Sequence, residues 1–116
     1  MISIESEERP WGRFFVIHDV PSYKLKRIEM DPGGRLSYQH HFKRSEACTI
    51  VEEIGTITLD GDLKDYSKGE AVSIHQGVKH RIENKASEKV VYIEMQTGTY
   101  FGEDDIVRIE DDYNRV

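Results

Sequence analysis

Gly33-Gly34-Arg35-Leu36-Ser37-Tyr38-Gln39-His40-His41-Phe42-Lys43-Arg44-Ser45-Glu46 joins a glycine break to three side chains of metal-ligating type. Gln39, His41 and Glu46 fall within eight positions. Side chains of a strand alternate between its two faces. An extended Arg35 to His41 therefore puts Arg35, Ser37, Gln39 and His41 on one face and Leu36, Tyr38 and His40 on the other. Of the two adjacent histidines, only His41 shares a face with Gln39. A short turn through Phe42 to Ser45 returns Glu46 toward the same centre. One imidazole, one carboxylate and one amide oxygen make an incomplete mixed nitrogen and oxygen site.

The missing ligand is expected from a second glycine-punctuated stretch. After Gly69, His75, Gly77, His80 and Asn84 follow at the rhythm of strand, turn and strand, and His80 is the expected fourth ligand.

Together these stretches resemble the paired motifs of the cupin superfamily. Gln39 stands where most cupins have the first histidine, and His75 stands where a proline is usual. Within cupins, Leu36-Ser37-x-Gln39-x-His41-x-x-Arg44-x-Glu46 is similar to the phosphomannose isomerase (type II mannose-6-phosphate isomerase) domain of bifunctional mannose-1-phosphate guanylyltransferases. Further matches are Arg9-Pro10-Trp11-Gly12, Gln96-Thr97-Gly98, Tyr100 and Gly102 to Arg108, so the resemblance covers nearly the whole chain. It implies an all-β, single-domain cupin, a double-stranded β-helix or jelly-roll barrel. It also implies one divalent metal held by Gln39, His41, Glu46 and His80, zinc first, with iron, manganese, cobalt or nickel tolerated by the same ligands. The implied chemistry interconverts mannose 6-phosphate and fructose 6-phosphate, a small-molecule sugar phosphate being the partner, and the implied assembly is a homodimer. Ala47-Cys48 replace a common His-Trp pair, which suggests a roomier pocket, and Glu53 falls where a turn glycine is expected.

The rest of the chain reads as many short strands separated by turn signals, which points to a β-sandwich or barrel on its own account. Pro21-Ser22, Asp31 to Gly34 and Ser67 to Gly69 mark turns, and Asp60-Gly61 is a two-residue hairpin signal following an alternating Ile54 to Leu59. Val90 to Gln96 puts Val91, Ile93 and Met95 on one face and Tyr92, Glu94 and Gln96 on the other. Residues 1–116 form one expected domain, with 1–8 as an arm or added edge strand. The tail, 98–116, is expected to be anchored by Ile106, Val107 and Ile109.

With 16 basic and 22 acidic residues the chain carries a formal charge of −6, which argues against electrostatic binding to nucleic acid or an anionic membrane. No apolar run is long enough to span a bilayer, and Met1 to Pro10 lacks the apolar core of a signal peptide, so a cytoplasmic location is expected. The single cysteine, Cys48, has no intramolecular disulfide partner, and its strand phase points inward as a small apolar side chain.

Moving a proton between adjacent sugar carbons needs a base of suitable pKa. Glu94 is the candidate, because its phase opposes Val91, Ile93 and Met95. Arg108 is the candidate for steadying the enediolate or the phosphate; Lys26 and Arg27 are phosphate candidates, and Ser37 joins them on the metal-facing side of its strand. His18, His40 and His75 read as surface residues, and Arg81 as pointing away from the metal. The competing readings are a non-catalytic cupin binding a sugar or nucleotide-sugar, and another cupin metalloenzyme such as an epimerase or dioxygenase.

Overall fold

A computed structural model of the chain describes residues 6–113. Turn chemistry sets where the chain reverses. Asp60 and Gly61 have φ of 46° and 90°, and Leu59 pairs with Asp62 across them, as a two-residue hairpin with two left-handed positions requires. At the Arg9-Pro10-Trp11-Gly12 corner, a Cβ on Gly12 would stand 2.1 Å from the carbonyl oxygen of Glu29. Glycine alone lets the two strands close there, and that closure tucks Trp11 into the core.

Eleven strands follow among the described residues: β1 (Ser6–Arg9), β2 (Gly12–Val20), β3 (Tyr23–Met30), β4 (Tyr38–His41), β5 (Arg44–Glu52), β6 (Gly55–Leu59), β7 (Asp62–Tyr66), β8 (Ala71–Ile74), β9 (His80–Glu83), β10 (Val90–Gly98) and β11 (Ile106–Glu110). They form an antiparallel six-stranded sheet, β1-β2-β3-β10-β5-β8, and an antiparallel five-stranded sheet, β11-β4-β9-β6-β7. The core lies between them. Trp11, Phe14, Ile28, Met30, Ile50 and Tyr92 come from the first sheet and its corner, Ile57 and Ile82 from the second. This is the jelly-roll arrangement expected from the sequence.

Several expectations are corrected in detail. Residues 6–8 belong to edge strand β1, whereas residues 1–5 of the expected arm and 114–116 of the tail lie outside the described residues. Ile54 is 46% exposed and precedes β6, whose Thr56, Ile57 and Thr58 are all buried, so simple alternation fails where a strand is covered on both faces. The tail is not anchored by Val107 and Ile109, each 39% exposed. Its inward residues are Ile106 and Arg108, and it is fixed by polar contacts instead: Arg35 Nη2 donates to Asp112 Oδ1 at 2.7 Å, and Arg81 Nη2 donates to the Glu110 carbonyl at 3.3 Å. Arg35 leaves the face of Ser37, Gln39 and His41 because the chain is not yet a strand there, making only an isolated bridge to Glu83.

Candidate metal centre

The metal-type side chains come from both sheets. Gln39 and His41 lie on β4, His80 lies opposite Gln39 on β9, and Glu46 reaches across from β5. All four are buried. Ligand atoms of His41, Glu46 and His80 lie within 4.8 Å of one another. Glu46 Oε1 is 3.2 Å from His80 Nε2, and Oε2 is 3.5 Å from His41 Nε2. The contact to His80 lacks the alignment of a hydrogen bond.

The tautomers follow from the partners. His80 Nδ1–H donates to the Val78 carbonyl at 2.9 Å, so that in the neutral ring Nε2 carries the lone pair on the side of Glu46. An arginine can only donate, and Arg44 Nη2 lies 3.4 Å from His41 Nε2, so that nitrogen accepts and Nδ1–H points to the Asp105 carbonyl at 3.3 Å. Two imidazole lone pairs and a carboxylate therefore converge, with each imidazole held from behind by a backbone carbonyl. Such a donor set fits a divalent transition ion. Gln39 is arranged differently: its Oε1 accepts from Ser37 Oγ at 2.6 Å while Nε2 faces His41 at 3.4 Å. Turning the amide over brings Oε1 to the centre, and Ser37 Oγ can then accept from Nε2. Ser37 thus acts on Gln39, although it also lines the adjoining cavity.

Electrostatics sharpen this arrangement. Burial holds the His41 imidazole down to about 4, against the pull of Glu46, so it is neutral and ready to ligate. Burial also opposes charge on His80, but contact with Glu46 outweighs it and raises the His80 pKa. Burial works against ionised Glu46 too, yet His80, Arg44 and His41 keep its pKa lowered. Arg44 Nε donates to Glu46 Oε2 at 3.1 Å.

The centre opens into a cleft of about 520 Å³ of non-atom space, part of it solvent at the mouth. Glu94 lines it and is 6% exposed. Burial, then the nearby Glu46 charge, pushes its carboxyl up to about 7, although Lys26, Arg44 and Gln96 pull the other way. Gln96 Nε2 donates to Glu94 Oε1 at 2.7 Å. Lys26 lies directly opposite Glu94 across the β3–β10 pair, and Cys48 opposite it across β10–β5. Arg108 sits opposite Gln39. Its Nε and the Tyr92 hydroxyl are buried without a hydrogen-bond partner among the described residues.

The structure thus brings Ser37, Gln39, Glu46, Glu94, Arg108 and Lys26 to one cavity, and His41 and His80 to its edge through Glu46. Arg27 is not brought there: it lies one residue out of phase with Lys26, pairs with Glu29 at 3.1 Å and does not line the cavity. Of the Ala47-Cys48 pair only Cys48 faces inward, where burial pushes its thiol well up, while Ala47 lies on the outer face. His18 and His75 are exposed, and His40 packs edge-on against the exposed ring of Phe42. Arg9, Trp11 and Arg44, which sequence reading quoted only as part of the family pattern, and Phe14 were given no site role, yet all line the cavity. Alternation back from Glu46 would have found Arg44.

Two antiparallel sheets enclosing a buried His-Glu-His cluster define a cupin. The fold is shared with CapF of Staphylococcus aureus, a capsular polysaccharide assembling protein (TM-score 0.80, 22% identity, 96% of this chain and 35% of that one). It is shared also with an RmlC-like cupin from Shewanella frigidimarina (TM-score 0.74, 20% identity, 87% of each chain). More specifically, the chain belongs to the Mannose-6-phosphate isomerase C-terminal family, whose pattern matches residues 4–111. A mannose-1-phosphate guanylyltransferase of Salmonella montevideo is 42% identical over 107 residues, 92% of this chain and 23% of that protein. The xanthan biosynthesis protein XanB of Xanthomonas campestris is 37% identical over 108 residues, 93% of this chain and 23% of that protein. The chain therefore spans under a quarter of the length of these relatives.

Proposed function

We propose that the chain is a metal-dependent aldose-ketose isomerase interconverting mannose 6-phosphate and fructose 6-phosphate. The observation that carries this reading is Glu94, a buried carboxyl raised to about 7 in the cavity onto which Gln39 and Glu46 open. A base that titrates near working pH is what a proton shuttle between adjacent carbons requires. Gln39, His41, Glu46 and His80 would hold a divalent metal, zinc being the first choice. When bound, it supplies Lewis-acid stabilisation of negative charge on the two neighbouring sugar oxygens.

The chain's own groups account for the remaining steps. Glu94, aimed by Gln96, removes a proton from one carbon and returns it to its neighbour. Arg108, with an unsatisfied Nε beside Gln39, donates to the sugar oxygen on which charge develops. The apolar walls of Trp11, Phe14 and Ile28 limit water around the transferring proton. A cytoplasmic homodimer completes the proposal. The cytoplasmic setting is supported by the buried free thiol of Cys48.

The test is a coupled assay for fructose 6-phosphate formed from mannose 6-phosphate with zinc, cobalt or manganese, with His41→Ala as control. Metal-dependent turnover lost in the variant is expected. A folded, metal-loaded protein without turnover would refute the reading and favour a non-catalytic sugar-binding cupin.

A further inference from the structure

The cavity has a second cationic end, separate from the metal centre. Although the chain carries a net charge of −6, the cavity lining among the described residues holds Arg9, Lys26, Arg44 and Arg108 beside the carboxylates Glu46 and Glu94. An acidic protein that concentrates cations in one cleft selects an anion there. These cations fall into two pairs. Arg44 bonds Glu46 and Arg108 lies opposite Gln39, so both stand beside the candidate metal ligands. Lys26 and Arg9 lie beyond Glu94 and share one aromatic ring: Lys26 Nζ is 4.3 Å and Arg9 Cζ 4.8 Å from the Phe14 centroid.

We propose that Arg9 and Lys26, set on Phe14, form the anchor for the phosphate of a sugar phosphate, a dianionic phosphomonoester. The substrate class rests on the isomerase reading; the anchor itself rests on the charge and its placement. Lys26 is 4% exposed, so its charge acts through a medium of low dielectric. Arg9, on edge strand β1, donates to the Glu8 carbonyl at 2.8 Å and to Glu7 at 3.4 Å. Its planar fork suits two phosphate oxygens at once, while Lys26 supplies a point charge from below. The spacing also fits. From β5, which carries Glu46, to β3, which carries Lys26, is two strand steps across β10, roughly 10 Å. A hexose whose reacting carbons lie at the metal end carries its 6-phosphate at the far end of its carbon chain, a separation of the same order. Glu94 lies between the two ends, where the transferring proton would be.

The experiment is titration calorimetry of the metal-loaded full chain with mannose 6-phosphate, mannose and inorganic phosphate, using Arg9→Gln, Lys26→Met and Lys26→Arg. Arg9→Gln and Lys26→Met are expected to weaken mannose 6-phosphate and inorganic phosphate by about 10- to 100-fold, and to leave mannose unchanged. Lys26→Arg is expected to recover most of the loss. The Arg9 side chain is 34% exposed, so Arg9→Gln keeps the fold and decides the matter even where Lys26→Met does not fold. Phosphate-dependent binding that is lost in Arg9→Gln, with no turnover in the wild type, would sustain the anchor and refute the isomerase. Turnover with an unchanged KM for mannose 6-phosphate in Arg9→Gln would overturn the anchor and leave the isomerase standing. Equal loss of mannose and mannose 6-phosphate binding would overturn the anchor as well.

Discussion

Glu94→Gln separates the two consequences of burying a carboxyl in an active cavity. Gln is nearly isosteric with Glu, and a Gln at 94 can still accept the hydrogen bond that Gln96 gives at 2.7 Å. The wild-type carboxyl is raised from 4.5 to about 7, chiefly by burial. Its folded-state pKa thus lies above the unfolded value, so its contribution to stability is complete below about pH 4.5 and is lost as pH rises through about 7. The full shift corresponds to roughly 3 kcal/mol. In metal-free protein the variant should therefore exceed the wild type by about 1 kcal/mol near pH 5 and by about 3 kcal/mol near pH 8. Urea denaturation in the presence of a chelator, at both pH values, measures the difference. The same substitution should cut isomerase turnover by about 100- to 10,000-fold, the usual contribution of a general base, with mannose 6-phosphate still bound. In the wild type kcat/KM should rise with pH through the Glu94 titration, at or below about 7 because a bound cation favours the carboxylate. Equal stability of variant and wild type at both pH values would refute the claim that Glu94 is buried at a cost. Undiminished turnover would remove it as the base.

Replacing His41 or His80 by Ala should weaken zinc binding by more than tenfold or so in a chelator competition, by analogy with the smaller effects of outer groups. In the wild type, zinc affinity should fall as pH is lowered, because the raised pKa of His80 keeps a proton on a ligand nitrogen. Asp105→Ala removes the carboxylate that accepts from the backbone N–H of Phe42 at 3.2 Å and Lys43 at 2.9 Å. It should cost about 1–3 kcal/mol in urea denaturation and loosen zinc about tenfold, since the same residue's carbonyl orients His41. Glu53 has φ of 63°, a left-handed position at the turn into β6. Glu53→Gly should therefore stabilise the protein by about 1 kcal/mol in thermal or chemical unfolding, with no effect on turnover.

Where strands have one face toward the cavity, their alternation is legible without coordinates. Ser37, Gln39 and His41, Glu46 and Cys48, and Tyr92, Glu94 and Gln96 are each buried in the phase that their spacing implies. The same rule is silent at β3, for a physical reason. In Lys24-Leu25-Lys26-Arg27-Ile28, Leu25 and Ile28 imply opposite phases, and the structure sides with Ile28, burying Lys26 and turning Leu25 outward with Arg27. A lysine on the inner face breaks the apolar pattern because the cavity there is polar. The position that misleads a hydrophobic reading is therefore one that lines the cavity. Glu53 shows the converse, a strained turn whose cost is visible in sequence only against a family that carries glycine there.

What no local pattern reports is which strands become neighbours. Arg108 stands beside Gln39, Lys26 beside Glu94, and Glu46 facing His80 from the other sheet, each pair brought together by pairings between distant segments. Arg9 reaches the cavity only because Gly12 lets β2 close on β3 and fold β1 back along it. The corner motif thus looks structural when read alone, and only the fold sets its arginine in the cavity wall, over the ring of Phe14 that Lys26 shares. Under the proposed function, the order across the inner wall is candidate metal ligands, candidate base, then candidate phosphate cations. In that order an elongated anionic sugar would lie with its reacting carbons at one end, so that a single orientation would serve both binding and proton transfer.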